Sequence, residues 1–292
     1  MTTLLKYHTL GNDYLVADPE LGAPSPGATA TRVLCDRRTG IGADGVLYGP
    51  LPATQPTAGP ADTFDVRVFN ADGSECARNA NGLRLFARYL REHGRTTQDE
   101  ITLRTPGGAV SVRLGRPVTA PGTIDLGSWT HHSPALADGE ELVGASLRLG
   151  PDTGLHVTAV HNGVPHLVSL VDDATPELAA RIGPEIVAYP GFTERPNAEL
   201  LTVEDRRTLR LQIWERGVGY APASGSGACA AACAAYRLGL TDPSVTVVMP
   251  GGTVAVEITR DERVLLSGSS SYVGQIALAD EFVPHLRAEL PW

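Results

Sequence analysis

The chain has 292 residues, of which 42% are hydrophobic and 20% charged, and its formal net charge is −9 at neutral pH. This composition is typical of a globular protein with room for two modest domains. The negative charge argues against nucleic acid or an anionic membrane as partner, because both attract basic faces. No apolar run approaches the roughly 18 residues of a membrane helix, and the N-terminus does not resemble a signal peptide. We therefore expect a cytoplasmic protein.

Cysteine and lysine usage excludes several kinds of site. The four cysteines, Cys35, Cys76, Cys229 and Cys233, have neither the spacing of a zinc site nor the density of a disulfide scaffold. Cys229 and Cys233 lie four residues apart in an Ala-rich stretch, which predicts two small core residues on one helix face. Lys6 is the only lysine and falls in the first predicted strand, which argues against a pyridoxal Schiff base.

Apolar spacing in the first half predicts strands and helices separated by polar turns. The predicted strands are 3–8, 13–18 and 64–70, and the predicted helices are 28–38 and 82–93. Residues 50–60, rich in Pro, Ala and Thr, predict a surface loop. Residues 115–122 form the best candidate for a linker to the second half.

The second half repeats this order of elements. Strands are predicted at 155–161, 167–171 and 209–214, with a turn at 162–166 and helices at 175–188 and 227–238. Many strands and one principal helix in each half predict an α+β fold.

Two short motifs recur along the chain at nearly the same distance. Pro106-Gly107-Gly108 returns as Pro250-Gly251-Gly252, 144 residues later. Asn79-Ala80-Asn81-Gly82 is matched by Ser224-Gly225-Ser226-Gly227, 145 residues later. Because two unlike motifs keep almost one offset, the sequence predicts two homologous halves.

We therefore expect two pseudo-symmetric domains. The N-terminal half covers 1–120 and is completed by 275–292, and the C-terminal half covers 121–274. Each repeated glycine-containing turn begins a helix, where free backbone N–H groups and the helix dipole favour an anion. If the two turns face each other across a cleft, Ala80-Asn81 and Gly225-Ser226 bind one carboxylate or an enolate derived from it.

Several blocks of this sequence resemble the diaminopimelate epimerase family. The blocks are Leu10-Gly11-Asn12-Asp13, Gly40-Ile41-Gly42-Ala43-Asp44-Gly45, Phe69-Asn70-Ala71-Asp72-Gly73-Ser74-Glu75, Trp214-Glu215-Arg216-Gly217-Val218-Gly219 and Pro250-Gly251-Gly252. The resemblance covers nearly the whole chain and implies two pseudo-symmetric domains, each a sheet curled around a central helix. It also implies an enzyme without a cofactor that inverts an amino-acid α-carbon. In the family two cysteines do this, one removing the proton and the other donating from the opposite face.

The sequence departs from the family where those cysteines are expected. Asn79 and Ser224 occupy the two positions, Cys76 lies three residues too early and Cys229 five residues too late. A thiol is readily ionised at a helix N-terminus, whereas a serine hydroxyl stays neutral without a strong base and an amide has no useful basic form. We therefore expect the two-thiol inversion to be lost. Val164 also replaces an asparagine of the family, which makes the reacting pocket less polar.

The residues that hold the substrate's amino and carboxyl groups in the family are matched in this chain. They are Asn12, Asn70, Asn197, Glu215 and Arg216. Arg216 suits a two-pronged contact with a carboxylate, and Glu215 suits an ammonium. The resemblance also places His166 beside the reacting centre. We assign proton transfer to His166 and Glu215, and hydrogen bonding at that centre to Asn79 and Ser224.

The chain keeps the residues that bind an amino acid but lacks the two catalytic thiols of the family. This combination predicts a reaction whose proton is easier to remove than that of an unactivated α-carbon. A conjugated or allylic C–H is more acidic, so a histidine or carboxylate suffices, and moving its proton shifts a double bond. Phenazine-pathway isomerases share the fold and move a proton with a carboxylate. Isomerases of 4-alkyl-L-proline biosynthesis are similar to the epimerases and act on an unsaturated proline-type intermediate. The leading hypothesis is an isomerase of this second type, which serves antibiotic biosynthesis.

Two other hypotheses stay open from the sequence alone. One is an epimerase or racemase of the same family with other acid and base groups. The other is a catalytically inactive protein that binds amino acids. In each case we expect a small-molecule partner with amino and carboxyl groups, no metal or other cofactor, and a homodimer.

Overall fold

A computed structural model of the protein describes residues 2–52, 62–132, 141–149 and 153–286. The chain divides into two compact units, which we call the N-terminal unit (Met1–Ile124 with Gly268–Trp292) and the C-terminal unit (Asp125–Ser267). The loop predicted at 50–60 falls mainly on 53–61, outside the described residues. None of the helices that the structure describes is long and apolar enough to cross a membrane.

The described residues form four helices and eighteen strands. The helices are α1 (Ala28–Cys35), α2 (Ala80–Glu92), α3 (Pro176–Val187) and α4 (Gly225–Arg237). The strands are β1 (Thr3–Thr9), β2 (Asn12–Ala17), β3 (Gly45–Leu51), β4 (Asp62–Asn70), β5 (Glu75–Cys76), β6 (Glu100–Thr105), β7 (Gly108–Arg113), β8 (Gly122–Ser128), β9 (Ala145–Arg148), β10 (Gly154–His161), β11 (Pro165–Leu170), β12 (Asn197–Asp205), β13 (Thr208–Glu215), β14 (Gly219–Ala221), β15 (Ser244–Met249), β16 (Gly252–Ile258), β17 (Arg263–Gly268) and β18 (Ser271–Ala277).

The two units share one order of strands. The order in the N-terminal unit is β18-β1-β2-β3-β4-β6-β7-β8, with β5 paired to β4. The order in the C-terminal unit is β9-β10-β11-β12-β13-β15-β16-β17, with β14 paired to β13. Each unit has two parallel pairs of strands at the same positions in this order. The pair β2–β3 corresponds to β11–β12, and the pair β4–β6 corresponds to β13–β15. This correspondence confirms the predicted α+β fold of two pseudo-symmetric domains.

Each unit has one central helix with a largely buried surface. In α2, Leu83, Phe86 and Leu90 are fully buried, as the predicted helical spacing requires. Six of the 13 residues of helix α4 are alanine, which has the best helix propensity and allows close approach to the surrounding strands. Cys229 and Cys233 are fully buried in α4, which confirms their prediction as small core residues.

Several boundaries differ from the sequence prediction, and helix α1, for example, ends at Cys35 rather than at residue 38. The central helices begin at Ala80 and Gly225, two residues before the predicted starts at Gly82 and Gly227, because capping residues precede them. The turn predicted at 162–166 is shorter, since His166 already pairs with Val160 and belongs to β11. His166 therefore stands on a strand, where its side chain is more firmly held than on a loop.

Candidate active site

Helix α2 of the N-terminal unit is capped by Asn79. The side-chain Oδ1 of Asn79 accepts a hydrogen bond from the backbone N–H of Gly82 at 2.9 Å, and the Asn79 backbone is extended. This is the N-cap role that asparagine favours. The side chain is therefore held as a hydrogen-bond acceptor at the helix start, and a carboxamide provides no base there.

Asn12 and Asn81, both predicted to bind substrate, are hydrogen-bonded to each other. Asn81 Nδ2 donates to Asn12 Oδ1 at 3.2 Å, and Asn12 Nδ2 donates to Asp44 Oδ2 at 2.9 Å. Arg84 Nη2 donates to Asn81 Oδ1 at 3.1 Å. Asn81 is buried and Asn12 is partly exposed. The Asn81 side chain thus positions Asn12, and a ligand role for Asn81 is left to its backbone N–H.

Asn70 stands at the end of β4. Its Nδ2 donates to Ser74 Oγ at 3.0 Å, and its Oδ1 accepts no hydrogen bond from the described residues. That oxygen is suited to an ammonium group.

Lys6, the only lysine of the sequence, takes part in an ion-pair network that includes Asp44, the hydrogen-bond partner of Asn12. Lys6 Nζ lies 2.9 Å from Asp13 Oδ2 and donates to the Gly42 carbonyl at 2.6 Å. Arg37 Nη2 lies 2.6 Å from Asp13 Oδ1 and 2.8 Å from Asp44 Oδ1. Burial alone would raise the pKa of the Asp13 carboxyl, but hydrogen bonds from Arg37 and Lys6 outweigh it and hold that pKa below its usual value. The network fixes Lys6 structurally.

We expect Asp13→Asn to lower the free energy of unfolding at pH 7 by about 1.5–3 kcal/mol, the usual worth of hydrogen bonds to a charged group. A carboxyl whose folded-state pKa is lowered stabilises the fold above its unfolded value of 3.8, and this stabilisation is lost as pH falls through the folded-state pKa. The difference from wild type should therefore shrink in acid. Urea unfolding from pH 3 to 7 measures it, with Asp242→Asn, an exposed partner of Arg206, as control. A difference independent of pH would contradict the charge argument.

Helix α4 of the C-terminal unit is capped by Ser224. Its Oγ accepts a hydrogen bond from the backbone N–H of Gly227 at 3.3 Å and lies 3.4 Å from Ser226 Oγ. Ser224 is buried and its backbone is extended, as at Asn79. Asn162 Nδ2 donates to the Ser226 carbonyl at 3.2 Å and holds the turn from the other side. The hydroxyl of Ser224 thus caps the helix, and within the described part of the chain it makes no hydrogen bond to a base.

The helix starts leave backbone donors open in both units. The N–H groups of Ala80 and Asn81 in one unit, and of Gly225 and Ser226 in the other, donate to no group among the described residues. The first N–H groups of a helix lack partners within it and carry its positive partial charge. Each pair is therefore suited to a carboxylate or another oxyanion, as the sequence predicts.

His166 is paired with a buried carboxylate that sequence reasoning missed. His166 Nδ1 lies 2.6 Å from Glu199 Oε1, and both side chains are completely shielded from solvent. Burial raises the pKa of the Glu199 carboxyl, the charge of His166 opposes the shift, and Glu215 adds to it. The available sequence signal was an acidic residue within the apolar run Ala198-Glu199-Leu200-Leu201.

Asn197, Glu215 and Arg216 come together at the ends of β12 and β13. Asn197 Oδ1 accepts a hydrogen bond from the Arg216 backbone N–H at 2.9 Å. The Arg216 guanidinium contacts Glu194 Oε1 at 3.2 Å and the Arg195 carbonyl at 3.0 Å, both through Nη1. Its Nε and Nη2 atoms make no hydrogen bond with the described residues, so this edge is open to a carboxylate. The Asn197 side chain therefore positions the Arg216 backbone.

The cysteines lie away from both helix starts. Cys35, Cys229 and Cys233 are buried, and burial raises the pKa of each of the Cys35 and Cys233 thiols. Cys76 on β5 is partly buried, its Sγ donates to the Arg78 carbonyl at 3.3 Å, and burial raises its thiol pKa as well. Raised values make these thiols poor sources of thiolate.

Comparison with solved structures identifies the fold. A probable proline racemase from Agrobacterium radiobacter has a similar structure, with a TM-score of 0.68 and 15% identity over 98% of this chain and 95% of that one. A methylitaconate-delta-isomerase gives a TM-score of 0.61 at 13% identity, over 100% and 98% of the two chains. The architecture is therefore that of the two-domain epimerases and isomerases.

Sequence similarity gives the family. The family model described as diaminopimelate epimerase matches residues 4–131 and 158–273. Diaminopimelate epimerase 2 of Nostoc sp. is 38% identical over 284 residues, which cover 94% of this chain and 95% of that protein. The chain belongs to the diaminopimelate epimerase family.

Proposed function

We propose that this protein is a cofactor-independent isomerase that moves a proton within an unsaturated amino-acid derivative and thereby shifts a double bond. The observation that carries the proposal is the pair of helix caps. Asn79 and Ser224 stand where the family resemblance expects thiols, and both side chains accept a hydrogen bond from the helix backbone. Neither is a base able to take a proton from an unactivated α-carbon.

The groups suited to an amino-acid ligand support an active enzyme. Arg216 offers an open guanidinium edge to a carboxylate, and Asn70 offers an oxygen to an ammonium. Glu215 pairs with the ammonium or takes part in proton transfer, as the family resemblance implies. His166 carries the proton, because imidazole both accepts and donates near neutral pH. The open backbone donors at the start of α4, in the same unit as His166, stabilise negative charge that develops on a dienolate.

The names of two solved structures support the two features of the proposed substrate, its double bond and its proline-type ring. A methylitaconate-delta-isomerase and a probable proline racemase share the fold. An unsaturated, proline-type amino acid combines these two kinds of substrate, and we assign the protein to a secondary-metabolite pathway of the 4-alkyl-L-proline type that supplies antibiotics. The likeness to each structure is one of fold, so this assignment is by analogy.

Incubation with 3,4-dehydro-L-proline in deuterated water tests the proposal. The α C–H of this compound is both allylic and next to the carboxylate, so a base of moderate strength suffices to remove its proton. We expect the double bond to move, as read by NMR, and no α-proton exchange in L-proline, which lacks the double bond.

The alternatives predict other outcomes of the same experiment. Exchange of the α-proton in L-proline or diaminopimelate, without any double-bond shift, would indicate an epimerase or racemase with other acid and base groups. Thermal stabilisation by these compounds with no exchange into any of them would indicate a binding protein. Either result overturns the proposed function.

We expect iodoacetamide to leave the rate of the double-bond shift essentially unchanged. No cysteine stands at a helix start, three of the four are buried, and the thiol pKa of Cys76 is raised. The rate before and after full alkylation measures this, with Cys76→Ala as control. Complete inactivation by stoichiometric labelling of Cys76 would contradict the assignment, provided that Cys76→Ala removes the sensitivity.

Restoring both thiols makes a complementary test. The double variant Asn79→Cys with Ser224→Cys should gain slight α-proton exchange, because each new thiol lies at a helix start that favours its thiolate. Full epimerase activity is not expected, since Val164 leaves the turn before β11 less polar than in the family. No gain with either L-proline or diaminopimelate would count against the equivalence of these positions with the family cysteines.

A further inference from the structure

The buried pair of His166 and Glu199 holds two polar atoms without partners. His166 Nε2 and Glu199 Oε2 are both shielded from solvent and make no hydrogen bond with the described residues. A buried polar atom left without a hydrogen bond lowers stability, and a buried ion pair is no better for stability than apolar residues of similar volume. The pair therefore calls for an explanation other than stability.

The N-terminal unit provides an internal comparison for this position. In the parallel pair β2–β3, Tyr14 lies opposite Gly45 and Val16 opposite Leu47. In the corresponding pair β11–β12, His166 lies opposite Asn197 and Val168 opposite Glu199. By register, His166 corresponds to Tyr14 and Glu199 to Leu47.

The surroundings of the helix starts agree with this correspondence. A Cβ atom added to Gly82 would meet Leu47 Cδ2 at 2.9 Å, and one added to Gly227 would meet Glu199 Oε1 at 3.0 Å and Ser224 Oγ at 3.3 Å. Leu47 is fully buried. The position beside the helix start is thus occupied by a leucine in one unit and by a glutamate in the other. The fold therefore does not require a carboxyl group at Glu199.

We propose that Glu199 is the positioning residue for His166, and that together they form a proton carrier that takes a proton from one substrate carbon and returns it to another. This inference rests on the proposed function. A carboxylate at Nδ1 holds the Nδ1–H tautomer, which leaves the lone pair on Nε2, the atom without a protein partner. Nε2 is then the base.

The transfer is balanced in two steps. First the substrate C–H bond breaks, its proton binds the Nε2 lone pair, and its electron pair spreads into the conjugated system, while Glu199 stabilises the resulting imidazolium through the hydrogen bond from Nδ1. In the second step the Nε2 proton forms a C–H bond at the distal carbon, the double bond moves by one position, and His166 returns to the neutral Nδ1–H tautomer. No oxidant, reductant or other reactant is needed.

Shielding from water favours return of the same proton to the substrate over its exchange with solvent. Both side chains of the pair are 0% exposed in the free protein, so the substrate must displace the atoms that cover Nε2, and it then keeps bulk water from the proton held there. Two other ionisable residues interact electrostatically with the pair. Burial raises the pKa of Glu199, and the charge of Glu215 on β13 adds to this shift. Burial lowers the pKa of His161 on β10, Glu194 opposes the shift and His166 adds to it. Ser224 faces the same glycine as Glu199 and does not ionise.

Proton NMR of the free protein tests the pair without any substrate. A proton shared across 2.6 Å between Nδ1 and a carboxyl oxygen should resonate far downfield of the other imidazole N–H signals. We expect this signal in wild type and in Glu204→Gln, a matched control on the exposed end of the same strand, and its loss in Glu199→Gln and in His166→Gln. Its absence from wild type, or its persistence in Glu199→Gln, would overturn the pair.

Turnover and isotope retention test its role in the reaction. With 3,4-dehydro-L-proline deuterated at Cα and assayed in ordinary water, we expect wild type to carry part of the deuterium to the distal carbon. Glu199→Gln should lower kcat by about 10²–10⁴-fold with little change in KM, as when the carboxylate behind a catalytic imidazole is lost. Glu199→Asp should also be impaired, because it is one methylene too short to reach Nδ1.

The two proposals fail in distinguishable ways. If wild type shifts the double bond, an unchanged kcat in Glu199→Gln, or complete loss of the label to solvent in wild type, overturns the carrier and leaves the proposed function standing. If wild type shifts no double bond, the proposed function fails and this inference fails with it as a statement about catalysis. The NMR signal then still decides whether the pair shares a proton.

Discussion

Replacing His166 with glutamine should lower the turnover number by about 10²–10⁴-fold, the usual effect of losing a positioned acid or base. Glutamine fits the site and can still hydrogen-bond to Glu199, but an amide neither gains nor gives a proton near neutral pH. The loss should appear in kcat more than in KM, because the imidazole acts mainly in the transition state. The measurement is the rate of the double-bond shift in 3,4-dehydro-L-proline at saturating substrate.

Glu215→Gln belongs to the same experiment. The family resemblance places Glu215 beside the reacting centre, and in this structure burial raises the pKa of Glu199 and the charge of Glu215 adds to that shift. We expect Glu215→Gln to lower kcat over the same range, because proton transfer is assigned to Glu215 as well as to His166. A raised KM with kcat largely kept would contradict this assignment and reduce Glu215 to a partner of the ammonium.

Ser224→Ala is the matched control for both substitutions. It removes the N-cap of α4, which should lower the free energy of unfolding by about 0.5–2 kcal/mol, while kcat falls less than in His166→Gln. The opposite pattern, an inactive Ser224→Ala beside a nearly normal His166→Gln, would make Ser224 the activated group and contradict our assignment.

The architecture could be read from the sequence because its signals are local. Asn79 and Ser224 precede glycine-containing helix starts, and the Pro-Gly-Gly turns keep nearly the same offset, so the repeat was visible without any contact being known. The helix starts were misplaced by two residues because an N-cap residue stands just before the first helical residue, and the apolar spacing begins one turn later.

The chemistry of the site was less accessible, because it depends on the register between strands. Glu199 is 33 residues from His166 in sequence, and the two meet only because β11 and β12 pair in parallel with His166 opposite Asn197. Periodicity indicates that Asn197 and Glu199 share a face of one strand, but not which residue of another strand lies beside them. The contact between Glu194 and Arg216 was missed because Glu194 lies on the loop before β12, and periodicity does not give the course of a loop.

Arg216→Ala should raise KM by at least about 30-fold and leave kcat largely unchanged. A truncated charge pair costs about 2–5 kcal/mol when its partner stays buried and unpaired. Arg216 is more than a third exposed in the free protein, so we expect the lower end of this range, and 2 kcal/mol corresponds to roughly 30-fold. The effect falls on KM because Arg216 holds a part of the substrate that does not react.

The guanidinium geometry makes the prediction specific. Glu194 and the Arg195 carbonyl engage only Nη1, so the substrate carboxylate is expected on the Nε and Nη2 edge. Arg216→Lys keeps the charge but loses that planar edge, and it should recover only part of the affinity. Arg210 lies on β13, six residues before Arg216, and Arg210→Ala, which breaks its exposed pairs with Glu204 and Asp173, should leave KM unchanged. Normal KM in Arg216→Ala would place Arg216 outside the site, and full recovery in Arg216→Lys would reduce its role to that of a point charge.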